Sequence, residues 1–100
     1  AEVREKLGAG PVYLSFDIDG IDPAFAPGTG TAEIGGLTST QGIEIIRGMR
    51  GLDVVGGDLV EVSPPYDPFG NTSVLAANLL FEMLCILPGV RYDDKVKAIY

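Results

Sequence analysis

Three aspartates, Asp17, Asp19 and Asp22, follow the largely apolar run 12–16. A strand that is apolar along its length is typical of a parallel sheet buried on both faces, and such sheets bind ligands at the carboxyl ends of their strands. Burying carboxylates there is costly without a cation, and carboxylate oxygens are ligands that hard divalent metals prefer. The same aspartates could instead only cap a turn, with Asp22 starting a type I turn at Pro23. Both interpretations stay open from these residues alone.

The composition limits what such a site can be. The chain has 100 residues, 46% of them hydrophobic, so it is at most one domain and needs a real core. It contains no histidine, which removes the commonest general base and the commonest transition-metal ligand, so this chain can offer a metal only oxygen ligands. Its net charge of −7 argues against nucleic acid or an anionic membrane as a partner and favours a small cationic molecule.

The remaining composition signals concern the compartment. Cys85 is the single cysteine, lies in an apolar run and is expected to be a buried thiol without a redox role. No apolar stretch is long enough to span a membrane, and no secretory signal opens the chain. We therefore expect a cytoplasmic or mitochondrial matrix protein that is not secreted. The charged start without methionine indicates a fragment of a longer protein.

The elements that must position the aspartates follow the order strand, helix, strand, helix. We predict the end of a helix within 1–10 with Gly8 as its C-cap, a functional loop over 19–37, and a charged tail that is frayed or a short helix over 91–100. Strands are predicted over 12–18 and 54–62, and helices over 38–51 and 71–87. The first of these helices begins with a capping box at 38–41, and Asn71 or Thr72 is the predicted cap of the second. Crossovers of this length favour a parallel α/β unit.

Two further acids lie on the second predicted strand. Glu61 lies at its carboxyl end, so it would face the same crevice as Asp17 and Asp19 if the two strands are parallel, although a solvated rim carboxylate is the alternative. Asp58 is harder to explain as solvent-facing and is a candidate to support a site residue by hydrogen bonding.

Two long runs of the chain are specific enough to indicate a family. Residues 15–23, with 26–31 and 35–38 after them, resemble the C-terminal signature of the ureohydrolases, the arginase and agmatinase family. Residues 58–67 and 70–72 resemble the agmatinase branch more than the arginases. Ala32 stands where many relatives have proline.

The resemblance implies a three-layer α/β/α parallel-sheet fold, with residues 1–100 forming the C-terminal part of a single domain. It implies two manganese ions, with Asp17 and Asp19 among their ligands. Glu61 and Thr31 would bind the substrate, while Asp22 shapes the loop or, like Asp58, supports the site from behind. The implied reaction converts agmatine to putrescine and urea by attack of a metal-bridging hydroxide on the guanidinium carbon. Guanidinobutyrate or guanidinopropionate could replace agmatine.

The resemblance also implies that this segment holds half a site. The family's histidine ligands, its two earlier aspartates and its proton-transfer histidine are absent, so no catalytic residue of its own is expected here. We predict that the isolated 100-residue chain is inactive, whereas the full-length protein is an enzyme and a homo-oligomer. The rival interpretation is a non-catalytic truncated product whose exposed sheet edge only associates with other chains.

Overall fold

The fold is an alternation of helices and parallel strands. The computed structural model describes residues 2–90. Its helices and strands are α1 (Glu2–Leu7), β1 (Pro11–Asp17), α2 (Ser39–Arg47), β2 (Asp53–Val60) and α3 (Asn71–Cys85), with single 3-10 turns at Ile18–Gly20 and Pro64–Tyr66. The predicted order of elements is confirmed, while the predicted tail at 91–100 lies outside the described residues. None of the helices described between residues 2 and 90 is both long and apolar enough to cross a bilayer.

The two strands pair in parallel, as predicted. Their register places Pro11 opposite Asp53 and Asp17 opposite Val60, so both strands end at the same edge. A Cβ atom added to Gly57 would lie 2.9 Å from the carbonyl oxygen of Leu14, and this close approach explains a glycine inside β2. The carboxyl ends of β1 and β2 therefore lie side by side at one edge of the sheet.

Within residues 2–90, β1 is covered on one face only. Val12 and Phe16 point into the core, whereas Tyr13 is 61% exposed and Ser15 is also exposed. The core lies between the sheet and the helices α2 and α3, on one face only, which is why alternate residues of β1 differ in exposure.

Helix α2 begins as its sequence predicts. Thr38 is the N-cap: its side chain accepts from the Gln41 backbone N–H at 3.1 Å, and the Gln41 side chain accepts from the Thr38 N–H at 2.9 Å. The helix ends at Arg47, before the predicted stop at Gly51, and Arg47 forms two hydrogen bonds to the buried Glu82 carboxylate on α3. This ion pair fixes α2 against α3.

The predicted cap of α3 is wrong. The N-cap position is Gly70, in the left-handed region with φ +74°, and neither Asn71 nor Thr72 caps the helix. The free N–H groups are instead satisfied from outside, because the Asp67 carboxylate accepts from the backbone N–H of Thr72 at 2.9 Å and of Ser73 at 3.0 Å. A carboxylate is a strong acceptor at a helix N-terminus, where the helix dipole also favours negative charge.

Candidate metal and substrate site

The first two predicted site residues lie where β1 ends. Asp17 is the last residue of β1 and Asp19 lies in the 3-10 turn that follows. Asp17 Oδ1 accepts from the Asp19 backbone N–H at 2.9 Å, so Asp17 does cap a turn, as the simpler interpretation proposed. Capping occupies one oxygen only. Because Asp17 is exposed, its carboxylate remains accessible at the end of β1.

The Asp19 carboxylate is held on both of its oxygens. The Thr29 hydroxyl donates to Oδ1 and the Thr31 hydroxyl donates to Oδ2. Thr31 is exposed, whereas Thr29 is only 5% exposed. Thr31 was singled out from the sequence, but Thr29 was missed. The only signal for Thr29 was its place in the same Gly-Thr-Gly-Thr run, two residues before Thr31.

The loop that carries these threonines is closed at its base. Leu37 N–H donates to the Gly20 carbonyl at 2.8 Å, and Asp22 N–H donates to the Leu37 carbonyl at 2.8 Å. The Asp22 carboxylate accepts from Ala24 N–H at 2.9 Å and, across the loop, from Gly35 N–H at 3.1 Å. Both oxygens of Asp22 are therefore engaged with loop backbone, which is the geometry of a residue that shapes the loop.

A second set of contacts docks the middle of this loop onto α3 and the exit of β2. Gly28 N–H donates to Thr72 Oγ1 at 2.8 Å, and the Gly28 carbonyl accepts from Ser63 N–H at 2.7 Å. A Cβ atom at Gly28 would lie 2.6 Å from the Asp67 Cβ, so only glycine fits between the loop and the helix cap. The sequence contained no sign of the contact between positions 28 and 72.

Glu61 directly follows β2, next to the end of β1. The last pair in the strand register is Asp17 with Val60, so Glu61 lies one residue beyond the end of the paired region. Its φ is +73°, the only positive φ of a non-glycine residue in the stretch 2–90, and its side chain is exposed. A left-handed conformation costs such a residue on the order of 1 kcal/mol, and strain of this kind is concentrated at functional sites.

Asp58 lies further back on the exposed face of the sheet. Its carboxylate accepts from the Ser15 hydroxyl at 2.6 Å and from the Tyr13 hydroxyl at 2.7 Å. The hydrogen bond from Ser15, followed by that from Tyr13, lowers the pKa of Asp58, and the bond to Asp58 raises the pKa of Tyr13. Both oxygens of Asp58 are therefore engaged, and its carboxylate is ionised at neutral pH. Its bond to Ser15 joins β2 to β1 at a point two residues before Asp17 on β1.

The charges of the described residues are separated along the strands. Asp17, Asp19, Asp22, Glu33 and Glu61 lie at or just beyond the carboxyl edge.

The lysines and arginines of residues 2–90 lie at the opposite edge, on α1, at the end of α2 or in the turn between α2 and β2. Arg4 donates to the carbonyls of Gly48 and Arg50, and Arg47 pairs with Glu82. The carboxyl edge therefore presents negative charge that no described lysine or arginine offsets nearby, which favours a cation there.

The donor set fits part of a metal site. Asp17 and Asp19 supply carboxylate oxygens, the ligands suited to hard divalent ions, and the hydroxyls on Asp19 orient its carboxylate as outer partners of metal ligands do. No group of three or more acidic, histidine or cysteine side chains able to hold an ion occurs within residues 2–90. The segment thus brings two candidate ligands together and needs others from elsewhere.

An α/β unit with paired aspartates after one parallel strand and an acid after the next defines the class to which this chain belongs. The model of the arginase family matches residues 1–85, so the chain belongs to the arginase family, and the family resemblance predicted from the sequence is confirmed.

Among curated relatives, a guanidinobutyrase from Pseudomonas aeruginosa is 79% identical over 90 residues, which cover 90% of this chain and 28% of that protein. A mitochondrial agmatinase from Gallus gallus is 70% identical over 90 residues, covering 90% of this chain and 26% of that protein. The chain thus spans little more than a quarter of the length of these relatives.

Solved structures agree. The proclavaminate amidino hydrolase from Streptomyces clavuligerus superposes with a TM-score of 0.80 at 52% identity, over 83% of this chain and 28% of that one. This similarity confirms the predicted α/β fold class.

Proposed function

We propose that the full-length protein containing this segment is a manganese-dependent hydrolase of a linear guanidino compound that releases urea. The observation that carries the proposal is the adjacency of three acids at one sheet edge, Asp17 at the end of β1, Asp19 in the turn that follows it and Glu61 after β2. Relatives named guanidinobutyrase, agmatinase and guanidinopropionase support the same class of reaction.

The residues divide into two roles. Asp17 and Asp19 would hold manganese, together with ligands from the rest of the protein. The chemistry that manganese would supply there is a water molecule with a lowered pKa, able to act as a nucleophile at neutral pH. Glu61 would bind the planar guanidinium by charge-assisted hydrogen bonds, and Thr31 would line the same pocket.

Agmatine is the first substrate we propose. Its far end carries an ammonium group, which suits an edge that presents carboxylates and, within the described residues, no lysine or arginine. The second candidate is 4-guanidinobutyrate, favoured by the 79% identity to a guanidinobutyrase. Its carboxylate would need a cationic partner from outside residues 2–90.

The test is a substrate panel on the full-length, manganese-loaded protein, with urea release as the readout. Agmatine, 4-guanidinobutyrate and 3-guanidinopropionate are compared by kcat/KM. Glu61→Gln should lower kcat/KM for the best substrate by about 10- to 100-fold, since a charge-assisted hydrogen bond to the guanidinium is worth about 1.5–3 kcal/mol. The matched control is Glu44→Gln, an exposed acid on α2 that should change nothing. Inactivity toward every guanidino compound would refute the class.

Three sequence predictions extend the proposal. The isolated 100-residue chain should release no urea from agmatine and bind manganese weakly, because residues 2–90 bring together only two candidate ligands; urea release by that chain would contradict this. We propose a homo-oligomer, checked by the mass of the full-length protein in solution. We also propose the cytoplasm or the mitochondrial matrix as the compartment, and relatives include mitochondrial proteins.

A further inference from the structure

We propose that Thr29 is a positioning residue for the metal ligand Asp19, set in place by the docking of its loop onto α3. This inference rests on the proposed function in that it takes Asp19 as a manganese ligand. It assigns to Thr29 a role distinct from that of Thr31: Thr29 fixes the carboxylate, while Thr31 is free to serve the substrate.

The Asp19 carboxylate needs such a support. The terminal torsion of an aspartate is broad, so the strand does not by itself fix the plane of the two oxygens. The hydroxyls of Thr29 and Thr31 donate to different oxygens and together define that plane. Each carboxylate oxygen has two lone-pair sites, so both oxygens retain capacity for a metal ion.

Burial separates the two threonines. Thr29 is 5% exposed, so its hydroxyl has little access to water or to a substrate, and Asp19 is the acceptor that satisfies it. Thr31 is exposed and can exchange its bond to Asp19 for another acceptor without leaving a buried polar group unpaired. Thr29 is therefore the permanent partner of the carboxylate.

The position of Thr29 is fixed by contacts made one residue earlier. Gly28 is bonded through its N–H to the fully buried Thr72 and through its carbonyl to Ser63 N–H. Thr29 N–H also donates to the Pro27 carbonyl at 2.9 Å. The backbone that carries the Thr29 hydroxyl is thus held against α3 and the exit of β2, independently of the turn that carries Asp19.

The experiment measures manganese affinity of the full-length protein by counting free Mn²⁺ with electron paramagnetic resonance. Thr29→Val should weaken manganese binding by about 10–100-fold, the loss typical when an outer partner of a metal ligand is removed. Thr29→Ser, which keeps the hydroxyl, should stay within about threefold of the natural protein. Thr40→Val, at an exposed position of α2, is the matched control and should not change affinity. Thr31→Val should raise KM more than it weakens manganese binding.

The melting temperature of the metal-free protein separates positioning from simple stabilisation. If Thr29→Val melts lower but binds manganese as tightly as the natural protein, the inference is wrong and Thr29 is only a buried structural residue. If Thr29→Val does not fold, Thr29→Ala is judged by the same criterion. Loss of affinity in a protein that hydrolyses no guanidino compound would support this inference while refuting the proposed function. Unchanged manganese affinity of Thr29→Val, in a protein that does hydrolyse a guanidino compound, would refute this inference and support the proposed function.

Discussion

The contact between Thr72 and Gly28 connects the stability of the helix cap to the candidate site, and Thr72→Val tests it. Valine has nearly the shape of threonine but replaces the hydroxyl by a methyl group. The change removes Oγ1, the acceptor of the Gly28 N–H at 2.8 Å, from a side chain that is fully buried.

The size of the effect follows from what is left unpaired. The Gly28 N–H would remain in a buried place without an acceptor, which costs about 1–3 kcal/mol. For a protein of about 320 residues, the length at which 90 residues make up the 28% covered in the guanidinobutyrase, a loss of 1 kcal/mol lowers Tm by about 1–2 °C. We therefore expect a clearly measurable decrease in Tm. Because Gly28 carries the loop with Thr29 and Thr31, kcat/KM for the guanidino substrate should also fall by about tenfold or more.

The assay compares the full-length natural protein with Thr72→Val and Thr72→Ser by thermal unfolding and by urea release. Serine keeps the acceptor and loses one buried methyl group, so it should lower Tm by an amount corresponding to about 1 kcal/mol and leave kcat/KM nearly unchanged. If Thr72→Val and Thr72→Ser reduce kcat/KM equally, or if Thr72→Val has the same Tm as the natural protein, then the Thr72 hydroxyl does not hold the loop.

Three more predictions concern neighbouring contacts. Gly28→Ala should lower Tm and manganese affinity together, because its Cβ would come within 2.6 Å of the Asp67 Cβ. Asp67→Asn should lower Tm by an amount that is constant from pH 5 to 8 and shrinks below pH 4. Hydrogen bonds, first that from the Thr72 backbone N–H, hold the pKa of Asp67 below its usual 3.8. The contribution of the Asp67 carboxylate to stability is therefore complete above that value and is lost as the pH falls. Glu82→Gln should cost about 1 kcal/mol of stability, less in 1 M salt, without changing kcat/KM, because Arg47 is half exposed.

Each of these has an outcome that contradicts it. Gly28→Ala with an unchanged Tm would mean that the loop does not approach α3 as closely as described. A stability difference for Asp67→Asn that varies between pH 5 and 8 would assign the cap to a group with a higher pKa. A loss of kcat/KM in Glu82→Gln comparable to that in Thr72→Val would mean that the α2–α3 ion pair, and not the loop docking, determines the site geometry.

Local sequence signals were reliable where one short segment decides its own structure. The capping box at Thr38 and Gln41 formed as predicted because both partners lie within one helical turn. The left-handed residue after α1 is Gly8, as its type indicated. The cap of α3 failed for the opposite reason: Asp67 reaches the helix across a turn, and a nearer candidate, Asn71, matched the usual pattern better.

For the candidate site, the sequence by itself determined which groups are available. The sequence predicts oxygen ligands at the carboxyl edge of a parallel sheet. That prediction rests on the absence of histidine, the aspartates at the end of an apolar strand, the acid after the next strand and the family signature. These are properties of residue types and spacing over short stretches, which the periodicity of strands and helices makes visible in the sequence.

Only the tertiary structure decided how those groups are held. Thr29 was recognised through its bond to Asp19, and Thr72 through its bond to Gly28, 44 residues away. The left-handed backbone at Glu61 likewise depends on how β2 leaves the sheet. The physical reason is that a hydrogen bond between distant residues requires the whole chain to be packed before donor and acceptor meet, so no local pattern encodes it.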